Sequence, residues 1–232
     1  MSKSDPALGL QVHKHLLSLG IETPIRPDML QVSKQEKIDK IAAATRVMLE
    51  TLGLDLTDDS LTDTPNRVGK MWVNDFMWGL DYDNFPKCTT VENKMSAPDE
   101  FVAVTCSTVS QCEHHLLSII PAAGLNAPSV VVAYIPGRNV LGLSKISRVV
   151  NFFAARPQVQ ERLTHQILEA MKFITKSDDV AVFASMAHLC MSTRGAKDVA
   201  ADTVTCAMSG KFNENASVRQ EFLALARQKL GV

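Results

Sequence analysis

The chain of 232 residues has no surplus of charge. Its 24 Lys and Arg stand against 25 Asp and Glu, a formal net charge of −1. That balance argues against a general nucleic-acid binder, which needs a large positive potential. An anionic ligand must then be met by a local gathering of cations. Long hydrophobic runs are missing too. No apolar stretch approaches the roughly 18 residues that span a bilayer. Met1 to Gly20 mixes Lys3, Asp5, His13, Lys14 and His15 with short apolar steps, unlike the apolar core of a signal peptide. The expectation is therefore no membrane partner and a cytoplasmic location. The five cysteines (Cys88, Cys106, Cys112, Cys190 and Cys206) are an odd number, and no disulfide framework is expected. Cys88, Cys106 and Cys206 read as small buried hydrophobes. Low-complexity tracts and repeats of solenoid period are also absent.

What is present is enough apolar material, 46% of residues, for a real core. The length suits one large domain or one domain with a helical arm. Ser33 and Glu36 form a capping-box pattern ahead of an apolar helical stripe, Ile38 to Leu52, that ends at Gly53. Thr64-Pro65 offers a second helix start, with Gly79 as its C-cap. From about residue 90 the chain turns β-rich, with strands over 101–106 and 130–135. Ser144 is placed to cap a helix carrying Ile146, Val149, Val150 and Phe153, and a further helix follows Arg156-Pro157. A strand from Val180 is expected to run through Cys190, another covers 203–208, and Ser217 with Gln220 opens a last helix. Strand runs and helix runs are segregated, so the class is α+β. Residues 1–85 read as an N-terminal helical arm and 86–232 as the catalytic domain.

The chemistry gathers at Cys112-Glu113-His114-His115 and His188-Leu189-Cys190. Thiolates and imidazoles at short spacing suit a zinc ion. Two short segments offer more donors than a closed structural site uses, so a catalytic zinc with an open position is the sharper reading. If Cys112, His115 and Cys190 hold the metal, His114 and His188 remain for proton transfer. On a continuous strand His188 and Cys190 would share a face. Alone, Cys112-x-x-His115 is a weak signal, and His188 could equally be a core histidine satisfied by backbone. A second group is cationic. Ser144-Lys145-x-x-Arg148 opens a helix, where free amides favour an anion, and Arg194, Arg67 and Lys70 could join it if the fold gathers them. Each is equally well read as a solvated surface charge. Gln160-Glu161 lies in a helical first turn, where an acid is commonplace. A carboxylate there could also accept paired N–H donors from a guanine-like edge.

With these residues laid out, the chain resembles the GTP cyclohydrolase I family from about Gln31 to Leu225. The matching stretches are Thr64-Pro-Asn-Arg-Val-Gly-Lys70, Ser110-Gln-Cys-Glu-His-His-Leu116 and Val132-Ala-Tyr-Ile-Pro136. They continue with Gly142-Leu-Ser-Lys-Ile-Ser-Arg148, Arg156-Pro-Gln-Val-Gln-Glu-Arg-Leu163 and His188-Leu-Cys-Met-Ser-Thr-Arg-Gly195. The resemblance implies a tunnelling fold and Zn2+ on Cys112, His115 and Cys190. It also implies catalytic roles for His114, His188 and Ser144, the last near the ribose. Glu161, helped by Gln160, would anchor guanine, and Lys70, Arg67, Ser144, Lys145, Arg148 and Arg194 would surround a triphosphate. The implied reaction opens the imidazole ring of GTP at C8, releases formate and recloses the rearranged ribose as 7,8-dihydroneopterin triphosphate, the first step of tetrahydrofolate and pterin biosynthesis. The implied assembly is a homo-oligomer, a decamer with sites shared between subunits. Departures from the family pattern are Gln111 and the stretch 118–129, longer by about half a dozen residues and rich in turn formers.

Overall fold

Asp5 and Pro6 open the first helix. The Asp5 carboxylate accepts the Leu8 amide, and Pro6 occupies the first turn of α1, Pro6–Ser18. The computed structural model describes residues 3–94 and 100–232. A short α2, Pro27–Leu30, leads to α3, Lys34–Thr51, which starts where the capping box predicts: Ser33 Oγ accepts the Glu36 amide at 3.2 Å. The chain leaves α3 through Gly53 at φ +85°, a left-handed conformation that glycine adopts without steric penalty. α4, Thr64–Met71, carries Pro65 in its first turn, but Asp63 rather than Thr64 is the N-cap residue and no side chain caps it. α4 runs on into a π-turn, Trp72–Phe76, and two 3-10 turns, Trp78–Leu80 and Tyr82–Asn84. Gly79 is not a C-cap. It lies inside the first 3-10 turn, where an added Cβ would stand 2.0 Å from the Phe152 carbonyl oxygen. Its small size lets two backbones touch.

The β-rich region follows as β1 (Thr90–Glu92), β2 (Val102–Cys106), β3 (Ser110–Cys112), β4 (Ser118–Pro121), β5 (Val130–Tyr134) and β6 (Asn139–Leu141). Then come α5 (Leu143–Ala154), β7 (Pro157–Gln158), α6 (Gln160–Thr175), β8 (Val180–His188), α7 (Leu189–Ser192), β9 (Thr203–Met208), α8 (Lys211–Glu214) and α9 (Ala216–Leu230). β1 and β6 make a two-stranded ribbon. The main sheet runs β2-β5-β8-β4-β3-β7, with β9 on the other edge of β8. All its pairings are antiparallel except β3–β7. The α+β class expected from segregated strands and helices is what the chain adopts.

Four local expectations differ. β8 stops at His188, and Cys190 lies on the helical turn α7, so the shared-face argument for His188 and Cys190 does not apply. Gly142 is the N-cap residue of α5, leaving Ser144 inside the first turn with no capping bond. Asn215, not Ser217, caps α9, its side chain accepting the Ser217 and Val218 amides at 2.9 and 3.4 Å. The stretch 118–129 begins as β4, so the long connection shrinks to 122–129, with Gly124 at φ +98°.

Strand alternation divides the core between two faces. Val130, Val132, Tyr134, Val180, Val182 and Ala184 face α5 and α6, meeting Ile146, Val149, Phe153, Leu163, Ile167 and Met171. Val131, Ala133 and Phe183 turn to the other side, against Val218, Phe222 and Ala226 of α9. Full burial of such a side chain stabilises by roughly 1.5–3 kcal/mol. Val12 and Leu16 of α1 belong to the first core, together with Phe85 and Phe152. α3 and α4 pack on each other, leaving Val47, Met48 and Leu52 more than half exposed, at 62%, 54% and 71%.

An ion pair closes the seam between the N-terminal segment and the sheet. Arg156 is wholly buried among the rings of Tyr82, Phe152 and Phe153, and it donates to Glu22 Oε1 at 3.0 Å and to the Gly79 carbonyl. Glu22 Oε2 also receives the Tyr82 hydroxyl at 2.5 Å and meets His13 Nδ1 at 2.8 Å. Cys106 is buried as expected and Cys88 half-buried, whereas Cys206 is exposed because it faces outward on β9.

Candidate functional site

A tight reversal joins β3 to β4. The Cys112 amide donates to Leu117 O and the Leu116 amide to Cys112 O, both at 2.8 Å, with Leu116 at φ +57°. A leucine in left-handed backbone is uncommon, and such conformations recur where surrounding structure dictates a functional turn. The turn presents Glu113, His114 and His115 while Cys112 stays buried at the strand end. β7 backs it, with Cys112 opposite Gln158 and the Glu113 amide donating to Gln158 O at 3.0 Å.

The second segment arrives through register. β4 pairs with β8 so that Ile119 lies opposite His188, which sets His188 beside the turn. α7 then folds Cys190 back until its thiol donates to Cys112 Sγ at 3.5 Å. The ligand-type atoms of Cys112, His188 and Cys190 all lie within 4.8 Å of one another, a group that could hold a metal ion. Two thiolates on one tetrahedral zinc lie roughly 3.8 Å apart, from Zn–S bonds of about 2.3 Å. The donor set and its sulfur separation fit such an ion. Burial, then the neighbouring Cys112, pushes the Cys190 thiol above its ordinary range. A bound cation would relieve that opposition by stabilising both thiolates.

The remaining histidines divide. His114 is exposed, with Nδ1 3.8 Å from Cys112 Sγ. His115 is exposed and its Nε2 meets the Arg194 guanidinium, so it does not stand in the Cys112–His188–Cys190 group. His188 Nε2 meets Gln160 Oε1 at 2.9 Å. The Gln160 amide nitrogen donates to Thr203 O at 2.7 Å and Thr205 Oγ1 at 3.2 Å, which leaves its oxygen to accept. His188 therefore donates through Nε2–H and keeps a lone pair on Nδ1. Burial draws the His188 pKa below its ordinary value, and the charge of Glu161 partly opposes that.

Of the residues expected at a guanine ring, Gln160 is fully buried with its amide committed to His188 and β9. Glu161 is exposed and, among the described residues, has no hydrogen-bond or ion-pair partner. The expected phosphate cations come from three parts of the fold. Arg67 and Lys70 are exposed on α4, and Arg67 pairs with Asp63 at 3.2 Å. Ser144, Lys145 and Arg148 open α5. Lys145 and Arg148 stand close enough to Cys88 to counter the burial that pushes its thiol up to about 11. Arg148 also lines a cavity with Lys3, Trp78 and Asn84. Arg194 follows α7 beside His115.

One feature of the site lies outside the residues expected from the sequence. Arg162, in the first turn of α6, grips Glu113 with both arms, at 2.7 and 3.0 Å. Its signal was slight: a cation in an uncapped first turn, where the helix dipole disfavours it.

A family model described as GTP cyclohydrolase I matches residues 41–227. GTP cyclohydrolase 1 of Vibrio campbellii is 47% identical over 212 residues, covering 91% of this chain and 94% of that relative. The proteins of the same name from Shewanella amazonensis and Aliivibrio fischeri are each 47% identical over 214 residues, covering 92% of this chain and 94% of their own. With the motif-bearing turn, β8 and α6 all inside the matched span, the chain belongs to the GTP cyclohydrolase I family of hydrolases.

Proposed function

We propose that this enzyme opens the imidazole ring of GTP at C8 with Zn2+ at the Cys112–Cys190 pair, releases formate and yields 7,8-dihydroneopterin triphosphate. The observation that carries the reading is the paired thiols 3.5 Å apart beside a histidine whose tautomer is set by Gln160. When bound, the ion would act as a Lewis acid and bring the pKa of a water to about 7. Cys112 and Cys190 would hold it. The third ligand is His115 by family resemblance, which requires its ring to leave Arg194. His188 and His114 then carry protons at the purine, His188 through the free lone pair on Nδ1. Glu161, exposed and unpaired among the described residues, accepts the N–H donors of the guanine edge. Gln160 supports it indirectly, by holding His188. Lys145, Arg148, Arg194, Arg67 and Lys70 meet the triphosphate, and Ser144 stands by the ribose.

Because those cations come from separate parts of the fold, we take the site to be completed by neighbouring copies in a homo-oligomer, a decamer by resemblance. The exposed apolar side chains of α3 are consistent with self-association. Among the described residues no helix is long and apolar enough to cross a membrane. Five unpaired thiols suit a reducing compartment, and the cytoplasm is the proposed location.

Incubation with GTP tests the reading. The expected result is stoichiometric formate plus a fluorescent neopterin after oxidation, both abolished by a chelator and restored by Zn2+. Formate without the fluorophore would confine the enzyme to ring opening. The absence of both products would refute the proposal.

A further inference from the structure

The residues on either side of Glu161 are each tied to one of the two segments that carry the metal-site thiols. Gln160 is bonded to His188, at the end of β8 and two residues before Cys190. Arg162 is bonded to Glu113, the residue after Cys112, through two parallel N–H···O contacts of 2.7 and 3.0 Å. Bidentate guanidinium–carboxylate pairs are directional as well as strong. Glu113 and Arg162 are three-quarters or more buried, at 25% and 20% side-chain exposure, so the pair is better shielded than a surface ion pair. The backbone link nearby is short: β3 and β7 share two residue pairs, and the Glu113 amide donates to Gln158 O at 3.0 Å. Among the described residues, the Glu113–Arg162 contact is the side-chain hydrogen bond that joins the turn 113–116 to α6.

The local physics of α6 shows that this contact outweighs an opposing preference. No side chain caps the helix, and a cation in its first turn sits against the positive end of the helix dipole. The Glu113 carboxylate neutralises that cation and adds a negative charge near the uncapped end.

We propose that Glu113 and Arg162 form a positioning strap that sets the separation between the metal-binding turn and the Glu161 carboxylate, so that a guanine held at Glu161 presents its C8 to the metal site. The inference rests on the functional reading above. Neither residue touches the reacting atoms, and both act through Cys112 and Glu161. Loosening the strap leaves Glu161 and the phosphate cations able to bind GTP but lets the reacting carbon drift. A displacement of about 1 Å is enough to lower turnover on the order of a hundredfold.

The test compares Glu113→Ala, Arg162→Ala and the double variant, with Glu113→Gln as a shape-conserving control. Steady-state kinetics give kcat and KM. GTP affinity is measured separately on metal-depleted protein, in which turnover is expected to be abolished. Zinc content and melting temperature are recorded for each. The strap predicts kcat at least about tenfold lower in either single variant. It predicts GTP affinity within about threefold of the unaltered protein. The double variant is expected to lose no more than the worse single variant, the non-additivity of two residues acting as a unit. Unchanged kcat with only a lower melting temperature would reduce the pair to a structural contact and overturn the strap. A loss found wholly in GTP affinity, or multiplicative losses in the double variant, overturns it as well. If the unaltered protein releases no formate from GTP, the functional reading fails and the strap falls with it. Active unaltered protein with fully active variants removes the strap alone.

Discussion

His188 stands where two influences oppose. Burial disfavours the imidazolium, while the Glu161 charge favours it, and burial prevails. In metal-free protein His188 is therefore expected to titrate below its ordinary value of about 6.5. Glu161→Gln should lower it further, because the opposing charge is gone; ring-proton NMR against pH reads both, and an upward shift would contradict this balance. The sign for stability follows from linkage. The folded chain binds this proton less well than the unfolded chain, so the contribution of His188 to stability is intact above about pH 6.5 and is lost as the pH falls toward the folded value. The same residue shows what a sequence conceals. That His188 lies near Cys190 is legible from their spacing, but a continuous strand is not what brings them together. The helical turn α7 provides the proximity instead, and four residues are too few to carry a periodic signal.

At the scale of elements, the N-terminal segment is bound to the sheet by a buried charge. Glu22→Ala would leave the Arg156 guanidinium among three aromatic rings without its carboxylate, and removing one partner of a buried pair costs about 3–5 kcal/mol. Urea denaturation should show a loss of that size, and a loss below about 1 kcal/mol would mean that Arg156 finds water instead. α3 was legible because apolar periodicity and capping chemistry agree, and α6 because its apolar periodicity extends over many residues. α1 carried its own signal in Asp5-Pro6, within a stretch whose mixed charges and short apolar steps give only a weak periodic pattern. β3 and β7 were not legible, being two or three residues long and defined only by what they pair with. The contacts Arg156–Glu22 and Arg162–Glu113 join residues 134 and 49 positions apart, and composition and periodicity are silent at such range. The two clusters of cysteine and histidine were thus visible in the sequence, and the arrangement of His115 and Gln160 was not. Gln160 proved to be a buried holder of His188 because its helix starts under β9, a tertiary fact.

At the scale of the molecule, the proposed self-association requires a face. α3 offers Val47, Met48 and Leu52, each more than half exposed on a helix whose other side packs on α4. Replacing Met48 and Leu52 together by lysine should shift sedimentation from the assembled species to a smaller one and reduce turnover with it, since shared sites would come apart. Unchanged sedimentation would place the contact elsewhere.

The wide sequence separation of the two thiols also orders events in time. Cys112 and Cys190 are 78 residues apart, and the histidine and cysteine of the second segment follow β8, the strand on which β4, β5 and β9 all pair. At a synthesis rate of about 5–20 residues per second, roughly 4–16 s pass between the appearance of one sulfur and the other. During that interval the nascent chain carries Cys112 without its counterpart. A metal held by this pair would thus be loaded late in maturation, once the ribosome has delivered β8 and α7.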